Sequence, residues 1–210
     1  MTESIGIFGG TFDPIHYGHL RPALDVADQL GLDRIHLIPS ARPPHRSEPQ
    51  ATPEQRLTML QLAVKNSPKF VVDDRELQRE GNSYTIDTLQ SLREEYPDSP
   101  LYLMLGTDAF SYIQTWHRWD ELLDLAHIVV MRRPDETLEM SESLEKWYQQ
   151  HLAVSGNVYR QTGIIWPVNV TQLAISATDI RHKFSQQMNP QFLLPDAVIQ
   201  LVGMLGLYKK

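Results

Sequence analysis

Residues Gly6 to His19 read GIFGGTFDPIHYGH and hold four of the chain's 11 glycines, one proline and two histidines three places apart. Just before and into this stretch, Ile5 to Phe8 is a short apolar run of strand type; beyond it Leu20, Ala23, Leu24, Ala27 and Leu30 recur at helical spacing. A glycine-rich passage from strand to helix lets backbone approach a ligand closely. The helix start then offers an anion unpaired amides and the positive end of a dipole. Pro22 fits a helix beginning near Gly18, where the first amides lack partners and a missing N–H costs little.

The same alternation continues along the chain. Arg34 to Pro39 (RIHLIP) reads as a second strand. Thr52, Pro53 and Gln55 then form a helix start, with Thr as N-cap, Pro at the first helical position and Gln closing a capping box. Leu57, Leu60 and Val64 supply that helix's buried stripe. Lys69 to Asp74 reads as strand three, Ile86 to Tyr96 as helix three, Leu101 to Leu105 as strand four ending at Gly106, and His127 to Met131 as strand five. A sixth short strand is expected within Gly163 to Val170, followed by helices near Thr178 to Gln186 and Asp196 to Leu205. Strands alternating with helices imply right-handed βαβ units and a parallel sheet. With strand order 3-2-1-4-5, the ligand crevice lies outside the carboxyl ends of strands one and four. The Gly9 to His19 loop and GTDAF, Gly106 to Phe110, meet there. Between Pro39 and Pro53, five of fifteen residues are proline, so this is a long loop, either a surface connection or a flap over the site.

At 210 residues the chain is long enough for a sizeable core and fits one domain, 1–210. A composition of 41% hydrophobic and 21% charged residues is that of a globular protein, and a formal net charge of −7 argues against broad nucleic-acid binding. The chain has no cysteine, which excludes disulfides and thiolate metal sites and suits a reducing compartment. The amino end has no basic segment before an apolar run, and no run approaches the about 18 apolar residues of a membrane span. The expected setting is the cytoplasm, with no membrane and no nucleic-acid partner.

The glycine spacing G-x-x-G-G is neither the dinucleotide fingerprint nor a Walker loop. Alone, Gly9 and Gly10 are equally consistent with a tight strand-to-helix turn, and each histidine with a packed or surface residue. A metal site would need further ligands. Asp13 is close, but no other histidine or acid shows ligand spacing, so no metal ligand is assigned. Two imidazoles at a helix N-terminus suit an anion that gains charge during reaction. A nucleotide-binding module without turnover and a His-liganded hydrolase remain the alternatives on these residues.

GGTFDPIHYGH resembles the signature of the HxGH nucleotidyltransferase superfamily, matched at Gly10, Phe12, Asp13, His16, Gly18 and His19. ISATDIR, Ile175 to Arg181, resembles its second signature, although Ser176 with Asp179 also reads as a capping box. The two readings are compatible, because a capped helix end is also an anion site. Within the superfamily the chain is most similar to the bacterial nicotinate-nucleotide adenylyltransferase family. PPHR (Pro43 to Arg46), SYT (Ser83 to Thr85), GTD, TWHRW (Thr115 to Trp119), RRP (Arg132 to Pro134) and a late LLP carry that likeness, while Pro134 to Gly163 matches only loosely.

The resemblance implies a Rossmann-like α/β fold, an open parallel sheet with helices on both faces and a small C-terminal helical extension, about 171–210, carrying ISATDIR. It implies adenylyl transfer from ATP to nicotinate mononucleotide with Mg²⁺, the two small molecules being the partners. The mononucleotide phosphate is already an anionic nucleophile, so in-line attack at the α-phosphorus needs no covalent intermediate and no general base. By the same resemblance His16 and His19 are catalytic and hold the phosphates. Gly9, Gly10, Thr11, Phe12, Gly106, Asp108, Arg133, Ile175, Ser176, Thr178 and Arg181 bind ATP. His45, Arg46, Tyr84, Thr85, Asp108 and Trp116 bind the mononucleotide, Tyr84 and Thr85 through amides to the carboxylate and Trp116 by stacking. Arg42, His45, Arg46, Arg132, Arg133, Arg181 and His182 fall in these loops and would focus a positive field on two anionic substrates.

Overall fold

The computed structural model describes residues 2–42, 48–132, 138–154 and 160–209. Its elements run β1 (Ile5–Gly10), α1 (Tyr17–Leu30), β2 (Arg34–Pro39), α2 (Pro53–Val64), β3 (Phe70–Val72), α3 (Arg75–Gln78), α4 (Thr85–Glu95), β4 (Leu101–Gly106), α5 (Thr107–Ser111), α6 (Leu122–Leu125), β5 (His127–Arg132), α7 (Glu142–His151), β6 (Ile165–Asn169), α8 (Ala177–Ser185) and α9 (Asp196–Leu205). The sheet order is β3-β2-β1-β4-β5-β6 and every pairing is parallel. That is the expected order 3-2-1-4-5 with the sixth strand added beside β5.

Alternation along the strands divides the core. Ile5 and Ile7 face one layer with Leu103, Leu105, Ile128 and Val130, against α4 to α7; Ile35, Leu37, Met104 and Val129 face the other, against α1, α2, α8 and α9. Gly6 sits where a side chain has no room: a Cβ would lie 3.0 Å from Leu32 Cδ1 and 3.1 Å from Met104 Sδ. Thr52 caps α2 as its sequence requires, accepting from Gln55 N–H while the Gln55 side chain accepts from Thr52 N–H at 2.9 Å.

Several expectations shift. β1 runs on through Gly9 and Gly10, so these glycines end a strand instead of making the turn. The turn falls on the next residues, with Phe12 at φ 51. α1 starts at Tyr17, which places Pro22 inside the helix and leaves the Gly18 carbonyl without its i+4 donor. β3 is three residues long rather than six. The buried side of α2 is Arg56, Met59, Leu60 and Val64, with Leu57 only half-buried. α7, capped by Ser141 accepting from Leu144 N–H, occupies a stretch for which the sequence reading assigned no element.

Candidate active site

The crevice forms where expected, at the carboxyl ends of β1 and β4. A cavity of about 630 Å³ is walled by Gly9, Gly10 and Thr11 on one side and by Ser83, Tyr84, Thr85, Asp108 and Trp116 on the other. A smaller cavity of about 110 Å³ lies beyond β4 between Gly18, Gly106, Thr107, Asp108 and Ile175. Asp108 lines both. Four segments far apart in sequence thus converge: the glycine loop, the SYT loop, the GTD turn and the entry to ISATDIR.

The histidines stand at the start of α1. His16 is its N-cap residue, only 4% exposed, and its ring stacks on His19 with centroids 3.7 Å apart. The His16 backbone N–H donates to His19 Nδ1 at 3.3 Å. A neutral His19 therefore carries its proton on Nε2, which makes that nitrogen a donor. Burial pushes the His16 imidazole down to about 4, so it is neutral at pH 7. Its Nδ1 is buried without a hydrogen-bond partner. Gly18 is confined by the same arrangement, because a Cβ would lie 2.9 Å from His16 Nδ1 and 3.0 Å from the Ile175 carbonyl. The Phe12 side chain is buried and meets His19 edge-on with centroids 5.2 Å apart, so Phe12 supports the ring and can offer a ligand only backbone.

Around the loop lies a shell of anchors. Asp13 is 5% exposed; its Oδ2 accepts from Gln50 N–H at 2.9 Å, and its Oδ1 from Ala51 N–H at 3.2 Å and Tyr208 Oη at 2.6 Å. Arg56, fully buried, donates to the Thr11 carbonyl at 2.7 Å and the Ser40 carbonyl at 2.8 Å. Arg181 donates to the Asp13 carbonyl at 2.7 Å and to Thr178 Oγ1 at 3.2 Å. Ser176 caps α8 by accepting from Asp179 N–H at 3.1 Å. At the other end of the proline-rich loop, Ser83 Oγ accepts from Ala41 and Arg42 N–H at 3.0 and 3.2 Å. The described ends of that loop are thus tied to the SYT loop and to the glycine loop.

Of the residues marked in the sequence, the structure brings Gly9, Gly10, Thr11, Tyr84, Thr85, Asp108 and Trp116 onto the larger cavity and Gly106, Asp108 and Ile175 onto the smaller. His45, Arg46 and Arg133 lie outside the described residues. Sequence reasoning passed over Arg56, Glu76, His117 and Tyr208. His117 lines the larger cavity with its ring 4.6 Å from that of Tyr84. Glu76 lines it too and accepts from Thr88 Oγ1 at 2.7 Å; burial pushes its carboxyl up, against hydrogen bonds from Thr88 and Ser83. No signal in one sequence marks a buried arginine, whose position in α2 reads as an ordinary solvated charge.

A cytidylyltransferase-like family model matches residues 7–183. The chain is 45% identical over 211 residues to an Aeromonas salmonicida protein named "Probable nicotinate-nucleotide adenylyltransferase", covering 100% of this chain and 99% of that one. A Methylococcus capsulatus protein of the same name is 45% identical over 209 residues, covering 98% and 100%. The solved Plasmodium falciparum nicotinic acid mononucleotide adenylyltransferase complexed with NaAD shares the fold, with a TM-score of 0.74 at 21% identity over 98% of this chain and 97% of that one. Fold, paired histidines and crevice together define a nucleotidyltransferase of the cytidylyltransferase-like class. Identity over its whole length places the chain within that class: it belongs to the nicotinate-nucleotide adenylyltransferase family.

Proposed function

We infer that the chain performs the reaction its relatives are named for: it transfers the adenylyl group of ATP to nicotinate mononucleotide, giving deamido-NAD and pyrophosphate. The observation that carries this reading is the pair of cavities that share Asp108 in their lining, the smaller bordered by Gly18 at the start of α1. The larger has the size of a small-ligand site and suits the mononucleotide, and the adenosine of ATP would extend past Asp108 toward the open space beside Gly106 and Ile175. The phosphates of both would then lie at the glycine loop, where a phosphate oxygen attacks the α-phosphorus, the bond to the β-phosphate breaks, and pyrophosphate departs with the electron pair.

The chain supplies position and charge compensation rather than a nucleophile. Gly9 and Gly10 leave the backbone open to phosphate. His16 and His19 donate N–H groups to oxygens whose charge rises in the transition state. Thr11, Ser176, Thr178 and Arg181 grip the polyphosphate, Arg181 while still holding the Asp13 carbonyl. Asp108 accepts from ribose hydroxyls, and Ile175 and Gly106 border the nucleoside. Tyr84 and Thr85 present the first amides of α4, which no Tyr84 side-chain bond caps, to the nicotinate carboxylate. Trp116 stacks on the pyridine ring. The roles assigned to His45, Arg46 and Arg133, closing on the mononucleotide and flanking adenine, rest on the sequence resemblance alone.

Among the described residues no group of three or more histidines and acids is arranged to hold a metal ion. We propose that Mg²⁺ enters on the ATP phosphates, whose oxygens suit a hard cation. We read 1–210 as one nucleotidyltransferase domain. Among the described residues no helix is long and apolar enough to cross a membrane, and the cysteine-free composition favours the cytoplasm as its place of work. The test is pyrophosphate release from ATP with nicotinate mononucleotide, nicotinamide mononucleotide or phosphopantetheine as acceptor. Fast release with the first alone is expected, and release with phosphopantetheine alone would overturn the reading.

A further inference from the structure

We propose that Tyr208, at the far end of the chain and outside every signature, is a positioning residue for the catalytic loop, acting through Asp13. The inference rests on the adenylyl-transfer reading of the site. α9 ends at Gly206 in the left-handed region, φ 65, and Leu207 N–H returns to the Val202 carbonyl at 3.1 Å. This closing turn reverses the chain. Tyr208 itself adopts φ 62, a conformation a bulky residue takes only when its surroundings impose it. What holds it there is burial and one hydrogen bond. The residue is 7% exposed, its ring packs 5.9 Å from that of Phe184 in α8, and its Oη donates to Asp13 Oδ1 at 2.6 Å.

Asp13 is where that bond matters. Its carboxylate is buried and has three donors, two of them the amides of Gln50 and Ala51 at the end of the proline-rich loop. Its carbonyl is held by Arg181, and the Thr11 carbonyl two residues earlier by Arg56. The loop between β1 and His16 is therefore fixed by side chains from α2, α8 and the chain terminus. The Tyr208 hydroxyl is the member of this set that can be deleted without leaving a hole or an unpaired guanidinium. A buried carboxylate that loses one of three donors must move or recruit water. Asp13 is three residues from His16, and donors displaced by a fraction of an ångström lose much of their rate advantage.

The test compares Tyr208→Phe, which keeps the ring, with Leu207→Ala, which removes neighbouring packing in the same core layer but no side-chain hydrogen bond. With wild-type protein first shown to release pyrophosphate, Tyr208→Phe is expected to lower kcat about tenfold. KM for ATP and for nicotinate mononucleotide should stay within about twofold, and the His16 imidazole resonances should move. Leu207→Ala is expected to unfold at a lower temperature and keep its kcat. Wild-type kcat in Tyr208→Phe, a loss confined to KM, or an equal fall of kcat in Leu207→Ala would each overturn the proposal. If wild-type protein released no pyrophosphate, the functional reading would fail by itself. The His16 resonances of Tyr208→Phe would still decide whether Tyr208 sets the loop, unmoved signals counting against it.

Discussion

Gly18 lacks a side chain because the His16 ring and the Ile175 carbonyl occupy the space one would need. An alanine there must push aside either an imidazole or the backbone entering α8, so the two signatures would no longer meet. Gly18→Ala is expected to remain folded at a cost of about 1 to 3 kcal/mol, the usual range for overpacking, and to lose kcat about a hundredfold. Thermal unfolding and steady-state kinetics read the two effects separately, and a variant with wild-type kcat would show that the site tolerates the displacement. His19→Ala removes a donor without crowding. It should lower kcat by about 10² to 10³ with the fold intact, and an unchanged kcat would take His19 out of the reaction. Both positions were legible in the sequence, because six spaced identities in one loop are hard to meet by chance. Asp13 was legible only as a motif letter. That its carboxylate anchors Gln50, Ala51 and Tyr208 depends on chain paths that no spacing encodes.

At the scale of elements, the proposed choice of acceptor rests on α4. Its N-cap residue Tyr84 makes no side-chain cap bond, and Tyr84 and Thr85 line the larger cavity, the space proposed for the pyridine ring. A carboxylate there accepts two donors. A carboxamide offers one neutral acceptor and turns an NH₂ donor toward other donors. Losing one or two charge-assisted bonds costs about 1.5 to 3 kcal/mol each, so kcat/KM should favour the acid over the amide by ten- to several-hundredfold. Equal use of both would remove Tyr84 and Thr85 from acid recognition while leaving adenylyl transfer at the histidines untouched. The elements of the fold were readable where period and caps agree: Thr52 opens α2, and apolar runs mark β1, β2, β4 and β5. They were not readable where burial is slight. α7 buries only Leu144 and Tyr148 in ten residues, too sparse a stripe to separate from a polar loop. The short helices α3, α5 and α6 are too brief for a 3.6-residue period to show.

For the whole molecule, the buried imidazole of His16 links the loop after β1 to global stability. Below pH 6.5 the unfolded chain binds a proton at this histidine that the folded chain refuses until about pH 4, because burial disfavours the cation. Protons therefore favour the unfolded state between those values. Stability contributed by His16 is complete above pH 6.5 and is lost as pH falls toward 4. The full shift corresponds to about 3 kcal/mol, of which about 2 kcal/mol is lost by pH 5. His127, also lowered chiefly by burial, acts in the same sense, whereas Glu76, raised by burial, acts in the opposite sense as pH rises above the ordinary glutamate range. The net acid limb thus mixes several groups, and His16 must be isolated by difference. Urea unfolding at pH 7.5 and pH 5.0 should show the wild-type chain losing about 2 kcal/mol more than His16→Gln, which keeps a polar side chain but cannot titrate there. Parallel losses in the two proteins would mean that the His16 ring takes up its proton in the folded state as readily as in water. The neutral, stacked imidazole described for the site would then not be the form present in solution.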